Sequence, residues 1–211
     1  MKINGMINDM NKFIAIVGSN AHNSTNKQLL KYMKKRYHQQ AEIELVGIRG
    51  LPIFKKSPDG FIPEAAREIA KKIEASDGVI ISTPEYDHSI SAVLSSALAW
   101  LSYGIHPFLD KPVMVMGASF GSLGSSRAQA QLRQILDSPE LKARIMPSSE
   151  FLLGHSLKAF DEAGNLKDAD EVKELDGLFK DFLQFVDISQ HLNNSLEANK
   201  QKIANFSWDK D

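Results

Sequence analysis

Three polar loops, each leaving a short apolar run, hold the residues of this chain whose types and spacing suit chemistry. Gly18-Ser19-Asn20-Ala21-His22-Asn23-Ser24-Thr25-Asn26 follows Phe13 to Val17. Thr83-Pro84-Glu85-Tyr86-Asp87-His88-Ser89-Ile90-Ser91 follows Val79-Ile80-Ile81, and Gly117-Ala118-Ser119-Phe120-Gly121-Ser122-Leu123-Gly124 follows Val113 to Met116. The first loop leads into a helical pattern, where free N–H groups and the helix dipole favour a phosphate. Ser19, Ser24 and Thr25 add hydroxyl donors and Asn26 an amide; the alternative is an ordinary capped polar turn. The loop is not G-x-G-x-x-G and has no P-loop lysine, which disfavours a Rossmann or Walker site. In the second loop Pro84 stiffens the exit from its strand. Tyr86 and nearby backbone amides suit a flat heterocycle, against the alternatives of a surface packing role for Tyr86 and a helix-start role for His88. Glu85 and Asp87 read either as an acid/base pair or as solvated loop carboxylates.

The third loop matches G-x-S-x-G after a strand, the nucleophile elbow of α/β-hydrolases, with Asp137 then His155, or Asp161 then His191, in the required order. The elbow needs a helix to begin at once, whereas Ser122-Leu123-Gly124-Ser125-Ser126 prolongs the loop, so a serine hydrolase is disfavoured. Gly117, Gly121 and Gly124 instead suggest backbone brought close to a ligand. The six histidines have no metal-ligand spacing, and the absence of cysteine excludes thiol catalysis, disulfides and cysteine-ligated clusters.

The elements that must position these loops alternate between strand and helix. Phe13 to Val17 is continuous rather than alternating, as a strand buried on both faces should be. A helix follows from Thr25, with Thr25 and Gln28 as a capping box and Leu29, Leu30, Met33 and Tyr37 on one face. Ile43 to Ile48 is strand two, and Ile62 to Ile73 is helix two, with Pro63 in its first turn. Val79 to Ser82 and Val113 to Met116 are strands three and four. Helices follow over Ile90 to Leu101 and Ser125 to Leu136, then a short strand near Phe151 to Gly154 and a last helix carrying Val172, Leu175, Phe179, Phe182 and Val186. Right-handed crossovers make this an α/β fold: a flavodoxin-like, five-stranded parallel sheet of order 2-1-3-4-5 with helices on both faces. Ligands of such sheets bind at the carboxyl ends of the strands. Residues 1–12 form an N-terminal extension, 13–190 the domain, and 191–211 a polar C-terminal tail.

The chain has 211 residues, 43% hydrophobic and 24% charged, with a net charge of −1. That balance fits one soluble domain and gives no reason to expect a nucleic-acid or membrane partner. No run approaches the length of a membrane span, and no signal core is present, so a cytoplasmic location is expected. The apolar face from Ile90 to Leu101, with Trp100 and Tyr103 at its end, suggests burial between subunits.

Taken together, the three loops resemble the NADPH-dependent FMN reductase family, over about Phe13 to Phe185. The family motif T-P-E-Y-N-H-S-x-P-G-x-L-K-N-A-x-D-W is present as Thr83 to Trp100. The motif G-A-S-x-G-x-x-G-x-x-R-A-Q is intact as Gly117 to Gly121, Gly124 and Arg127-Ala128-Gln129, and Lys158 to Leu166 is similar to a late hairpin segment. The resemblance implies non-covalent FMN, with NADPH or NADH as hydride donor and a quinone, flavin, azo dye or similar small molecule as acceptor. It implies a homodimer or homotetramer and no catalytic side chain, since the flavin carries the reaction. A flavodoxin-like electron carrier without NAD(P)H activity is the alternative. The residues implied to hold FMN are Gly18, Ser19, Asn20, Ser24, Thr25, Asn26, Pro84, Glu85, Tyr86, Asp87, His88, Ser119, Phe120, Gly121 and Ser122. Among these, Ser19, Ser24, Thr25 and Asn26 take the phosphate, and Pro84 to His88 with Ser119 to Ser122 take the ring. The chain departs from the pattern with Asn20 where relatives carry an arginine in the first loop. Asp87 stands for Asn, Ser91-Ala92 for Pro-Gly, and Ser95-Ser96 for Lys-Asn.

Overall fold

A computed structural model describes residues 10–147, 150–192 and 201. Four longer strands, β1 (Asn11–Val17), β2 (Ala41–Gly47), β3 (Gly78–Thr83) and β4 (Pro112–Ala118), alternate with α1 (Thr25–Arg36), α2 (Glu64–Glu74) and α3 (Ala92–Trp100). After β4 come α4 (Ser126–Leu136), two short strands β5 (Arg144–Ile145) and β6 (Phe151–Leu153), and α5 (Ala169–His191). All pairings are parallel and the order is β2-β1-β3-β4-β5, with β6 also paired to β4.

The expected fifth strand is β6; the sheet edge beside β4 is divided. β5 pairs with the start of β4 (Pro112↔Arg144, Val113↔Ile145), and β6 with its end (Met116↔Phe151, Ala118↔Leu153). The Met146 N–H still reaches the Val113 carbonyl at 2.8 Å, but Pro147 has no N–H to continue that ladder. β1 begins at Asn11, inside the expected N-terminal extension, and α5 runs through His191, the first residue of the expected tail. The rest of that tail, apart from Leu192 and residue 201, lies outside the described residues, as do residues 1–9.

Successive side chains of a strand point to opposite faces, and the two faces of this sheet have separate cores. Phe13, Ala15, Val17, Ile80, Met114 and Met116 pack under α1 and α5, against Leu29, Leu30, Met33, Leu175, Phe179 and Phe182. Ile14, Ile16, Val79, Ile81, Val113 and Val115 pack under α2, α3 and α4. Chain direction across the sheet reverses between β1 and β3, so their carboxyl ends open the crevice where α/β ligands sit.

Trp100 does not face out. It is buried against Ile62 and Ala66, meets Phe54 edge-on with centroids 4.8 Å apart, and donates its indole N–H to the Pro52 carbonyl at 2.8 Å. The α3 face is therefore used inside the chain, and the argument for a subunit interface built on it does not hold. Among the described residues, no helix is long and apolar enough to cross a membrane, and no group of three or more His, Cys, Asp or Glu could hold a metal ion.

Candidate functional site

The loops after β1, β3 and β4 meet in one cleft lined by Ser19, Ala21, Asn23, Ser24, Thr25, Asn26, Pro84, Glu85, Tyr86, Ala118, Ser119 and Phe120. Of the residues singled out in the sequence, Gly18, Asn20, Asp87, His88, Gly121 and Ser122 are not in that lining.

α1 is capped by Ser24, one residue earlier than expected, whose Oγ accepts the Lys27 N–H at 3.2 Å. The first helical bond runs from Gln28 N–H to the Ser24 carbonyl, so the helix itself leaves the N–H groups of Thr25 and Asn26 free. No acidic residue lies in the first turn. Ser19 Oγ accepts from the Ala21 N–H at 3.2 Å. Ser19 and Ser24 thus use their oxygens as acceptors and keep their protons to donate. Thr25 Oγ1 shares a buried hydrogen bond of 2.9 Å with Ser156.

Asn26 is different. Its side chain is buried, donates to the Ala118 carbonyl at 2.9 Å, and accepts from the Ala118 N–H at 2.9 Å and the Ser82 hydroxyl at 2.8 Å. The carboxamide stitches α1 to the ends of β3 and β4, so it is not an open phosphate donor as expected; its backbone N–H is what the first turn offers.

Glu85 is neither a solvated carboxylate nor half of an acid/base pair. Its Oε2 accepts the N–H groups of Arg127 and Ala128 at 3.0 and 3.3 Å, and Oε1 pairs with the Arg127 guanidinium at 3.2 Å. α4 needs this: Ser125, before it, sits at φ 67° and gives no side-chain cap. Glu85 supplies the cap from the neighbouring loop and places its charge at the positive end of α4.

Tyr86 and Ser89 exchange both backbone hydrogen bonds, at 3.0 and 2.9 Å, closing a two-residue turn whose central residues Asp87 and His88 have φ of 49° and 65°. Asp tolerates that conformation almost as Asn does, which explains how this chain keeps the turn with Asp87. The turn projects the Tyr86 ring, 48% exposed, over the cleft rim, where Phe120 is 62% exposed.

In the third loop the Ser119 hydroxyl donates to the Gly121 carbonyl at 3.1 Å. His155 meets this loop through its backbone N–H on Gly121, not its ring. Asp137 ends α4 at its far end, and Asp161 binds Asn165 in its own turn. With α4 starting only at Ser126, neither elbow nor triad exists. The glycines also differ from expectation. A Cβ at Gly117 would lie 1.8 Å from Ser125 Oγ and 2.5 Å from the Thr83 carbonyl; one at Gly124, at φ 54°, would lie 2.3 Å from Leu152 backbone. These two serve close packing within the protein. Only Gly121 of the three faces open space.

Sequence reading missed several residues that hold the loops. Ser91 caps α3 and donates its hydroxyl to the Gly18 carbonyl at 2.6 Å. Ser96 bridges the Phe54 N–H and the Pro52 carbonyl, Gln129 ties the Gly124 and Phe151 carbonyls, and Gln131 accepts the Ile90 N–H. Ser91, standing just before the apolar-periodic stretch from Val93, was a readable N-cap signal; the others join side chains to partners that spacing does not indicate.

Comparison with known proteins places this site in context. Residues 11–158 match the family model described as NADPH-dependent FMN reductase. The chain is 50% identical over 197 residues to the NADH:(hydroxy)cinnamate reductase subunit CrdA of Vibrio ruber, covering 93% of this chain and 96% of that protein. It is 43% identical over 186 residues to NADH-dependent flavin reductase subunit 2 of Lactobacillus johnsonii, covering 85% and 99%. Among solved structures, the flavoenzyme NAD(P)H:(acceptor) oxidoreductase FerB of Paracoccus denitrificans superposes with a TM-score of 0.76 at 27% identity, covering 85% of this chain and 99% of that one. With the family model spanning more than half its length and close relatives matching nearly end to end, the chain belongs to the NADPH-dependent FMN reductase family.

Proposed function

We propose that this protein is an FMN-dependent oxidoreductase that takes a hydride from NAD(P)H and passes electrons to a quinone, flavin, azo compound or similar small acceptor. The observation that carries the reading is the meeting of three loops, from β1, β3 and β4, in one cleft at the sheet's switch point. The residues fit the cofactor. Thr25 and Asn26 N–H groups and the Ser19 and Ser24 hydroxyls form a donor set at a helix N-terminus whose first turn holds no acid, and the one carboxylate of the cleft lining, Glu85, is engaged by Arg127 and the start of α4, which suits a phosphate monoester. Pro84, Tyr86 and Phe120 add apolar and aromatic surface to the cleft lining, suited to a ring system. FMN, when bound, supplies the hydride and electron chemistry. The protein's own residues bind and orient. Glu85 fixes the second loop on α4, Asn26 locks the strand ends, and Ser156 and Gln129 brace the first and third loops.

The exposed Tyr86 and Phe120 rings give the cleft an apolar rim. We assign that rim to the acceptor and to a second copy of the chain, in a homodimer or homotetramer. Two relatives are named as subunits, which makes an unlike second chain the competing assembly. A cytoplasmic location, where NAD(P)H is supplied, belongs to the same proposal. Steady-state oxidation of NADH and NADPH by the FMN-loaded protein, with and without a quinone, tests the function. Acceptor-dependent turnover is expected; flavin binding without any NAD(P)H oxidation would make the protein a carrier instead.

A further inference from the structure

The first loop has no arginine or lysine between Gly18 and Asn26, yet a cation reaches it from outside. Arg49, just past the end of β2, donates from Nε to the Asn20 carbonyl at 3.1 Å, and its Nη2 also binds that carbonyl. Its Nη1 faces the His22 ring nitrogens at 3.4 and 3.5 Å; since a guanidinium only donates, the ring accepts. Asn20, His22 and Arg49 line a cavity that adjoins the cleft, sharing Ser19 and Ala21 with it. On the other side Ser91 holds the Gly18 carbonyl. Two carbonyls of the loop are therefore engaged by donors that lie just after β2 and just before α3, which leaves the Ser19 and Ser24 hydroxyls and the N–H groups at the start of α1 as the donors to meet an anion.

Resting on the proposed FMN site, we infer that Arg49 is a positioning residue for the phosphate loop: it fixes the backbone through the Asn20 carbonyl and brings the positive charge that the loop's own sequence lacks. Both effects act on the phosphate of the cofactor and not on its ring. The forked geometry matters as well as the charge, because one carbonyl accepts two N–H groups that a lysine ammonium cannot present in that plane.

The test measures FMN and riboflavin affinity, by quenching of flavin fluorescence, for the wild-type protein, Arg49→Met and Arg49→Lys. Arg49 is exposed, so neither change threatens the fold. Arg49→Met is expected to weaken FMN about tenfold, the worth of one charge-assisted contact, while changing riboflavin affinity less than about twofold. Arg49→Lys should recover part of the loss, and the difference between variants should shrink in high salt. Equal weakening of both flavins, or no change in either, would overturn the inference. A second readout does not need flavin. Amide exchange of the free protein should rise in residues 18–23 of Arg49→Met and stay unchanged in β3 and β4. Unchanged exchange in the loop overturns the positioning role. Wild-type protein that binds neither flavin would defeat the functional reading and the phosphate half of this inference, and the exchange measurement would still decide what Arg49 does to the loop.

Discussion

Replacing Asn26 with alanine separates a structural role from a ligand role at one residue. The side chain is 2% exposed and makes three hydrogen bonds, to Ala118 N–H, Ala118 carbonyl and Ser82 hydroxyl. A net contribution of about 1 kcal/mol each gives about 3 kcal/mol, and leaving buried backbone groups without partners raises the total to about 3–5 kcal/mol. For a domain of this size that lowers Tm by roughly 6–20 °C. Urea and thermal unfolding of the flavin-free protein are the assays, because no ligand contribution enters them. Ser82→Ala, which removes one of the three bonds, should cost about 1 kcal/mol, and the double variant should lose less than the sum. If Asn26 were a phosphate ligand and nothing more, Asn26→Ala would leave flavin-free stability within about 0.5 kcal/mol of wild type and weaken only FMN binding. That result would refute the stitching argument.

Other expectations follow the same geometry. Glu85→Ala should destabilise the protein by about 1–2 kcal/mol through loss of the α4 cap, and Glu85→Gln, which keeps an acceptor, by less, as denaturant midpoints will show. Gly117→Ala should unfold or severely destabilise the protein, since its Cβ would meet Ser125 and the Thr83 carbonyl, while Gly121→Ala should leave flavin-free stability unchanged; comparable losses at both would contradict the packing described. Asp176 is held below its ordinary carboxyl range chiefly by hydrogen bonding to the Arg36 guanidinium, at 2.6 Å. A lowered folded-state value means its stabilisation is present above about pH 4 and is lost as pH falls further, so Asp176→Asn should flatten the acid limb of a stability–pH curve. Both side chains are more than a third exposed, which keeps the effect at neutral pH below about 1 kcal/mol.

The sheet order, the two helical layers and the three loops were legible in the sequence because β1, β3 and β4 are buried on both faces and so read as unbroken apolar runs. β5 was not, because a two-residue strand has no period to detect. The position of the site was legible for the same reason as the fold: polar loops at the carboxyl ends of adjacent strands must converge. What individual residues do there was less so. Asn26 and Glu85 carry the right chemistry for a ligand, but Asn26 binds Ala118 and Ser82, and Glu85 binds α4 across 42 positions. Sequence spacing holds no record of such partners. Trp100 misled for a related reason: a helix end that looks sticky finds its cover in the 48–63 loop of the same chain, through Pro52 and Phe54.

The central claim is most directly tested by titrating the flavin-free full chain with FMN and FAD and then adding NADH or NADPH without oxygen. One FMN per chain, much weaker FAD binding, and loss of the flavin's absorbance near ~450 nm on adding the nucleotide are expected. A chain that takes up FAD in place of FMN, or neither flavin, or that holds FMN whose absorbance neither nucleotide bleaches, would contradict it.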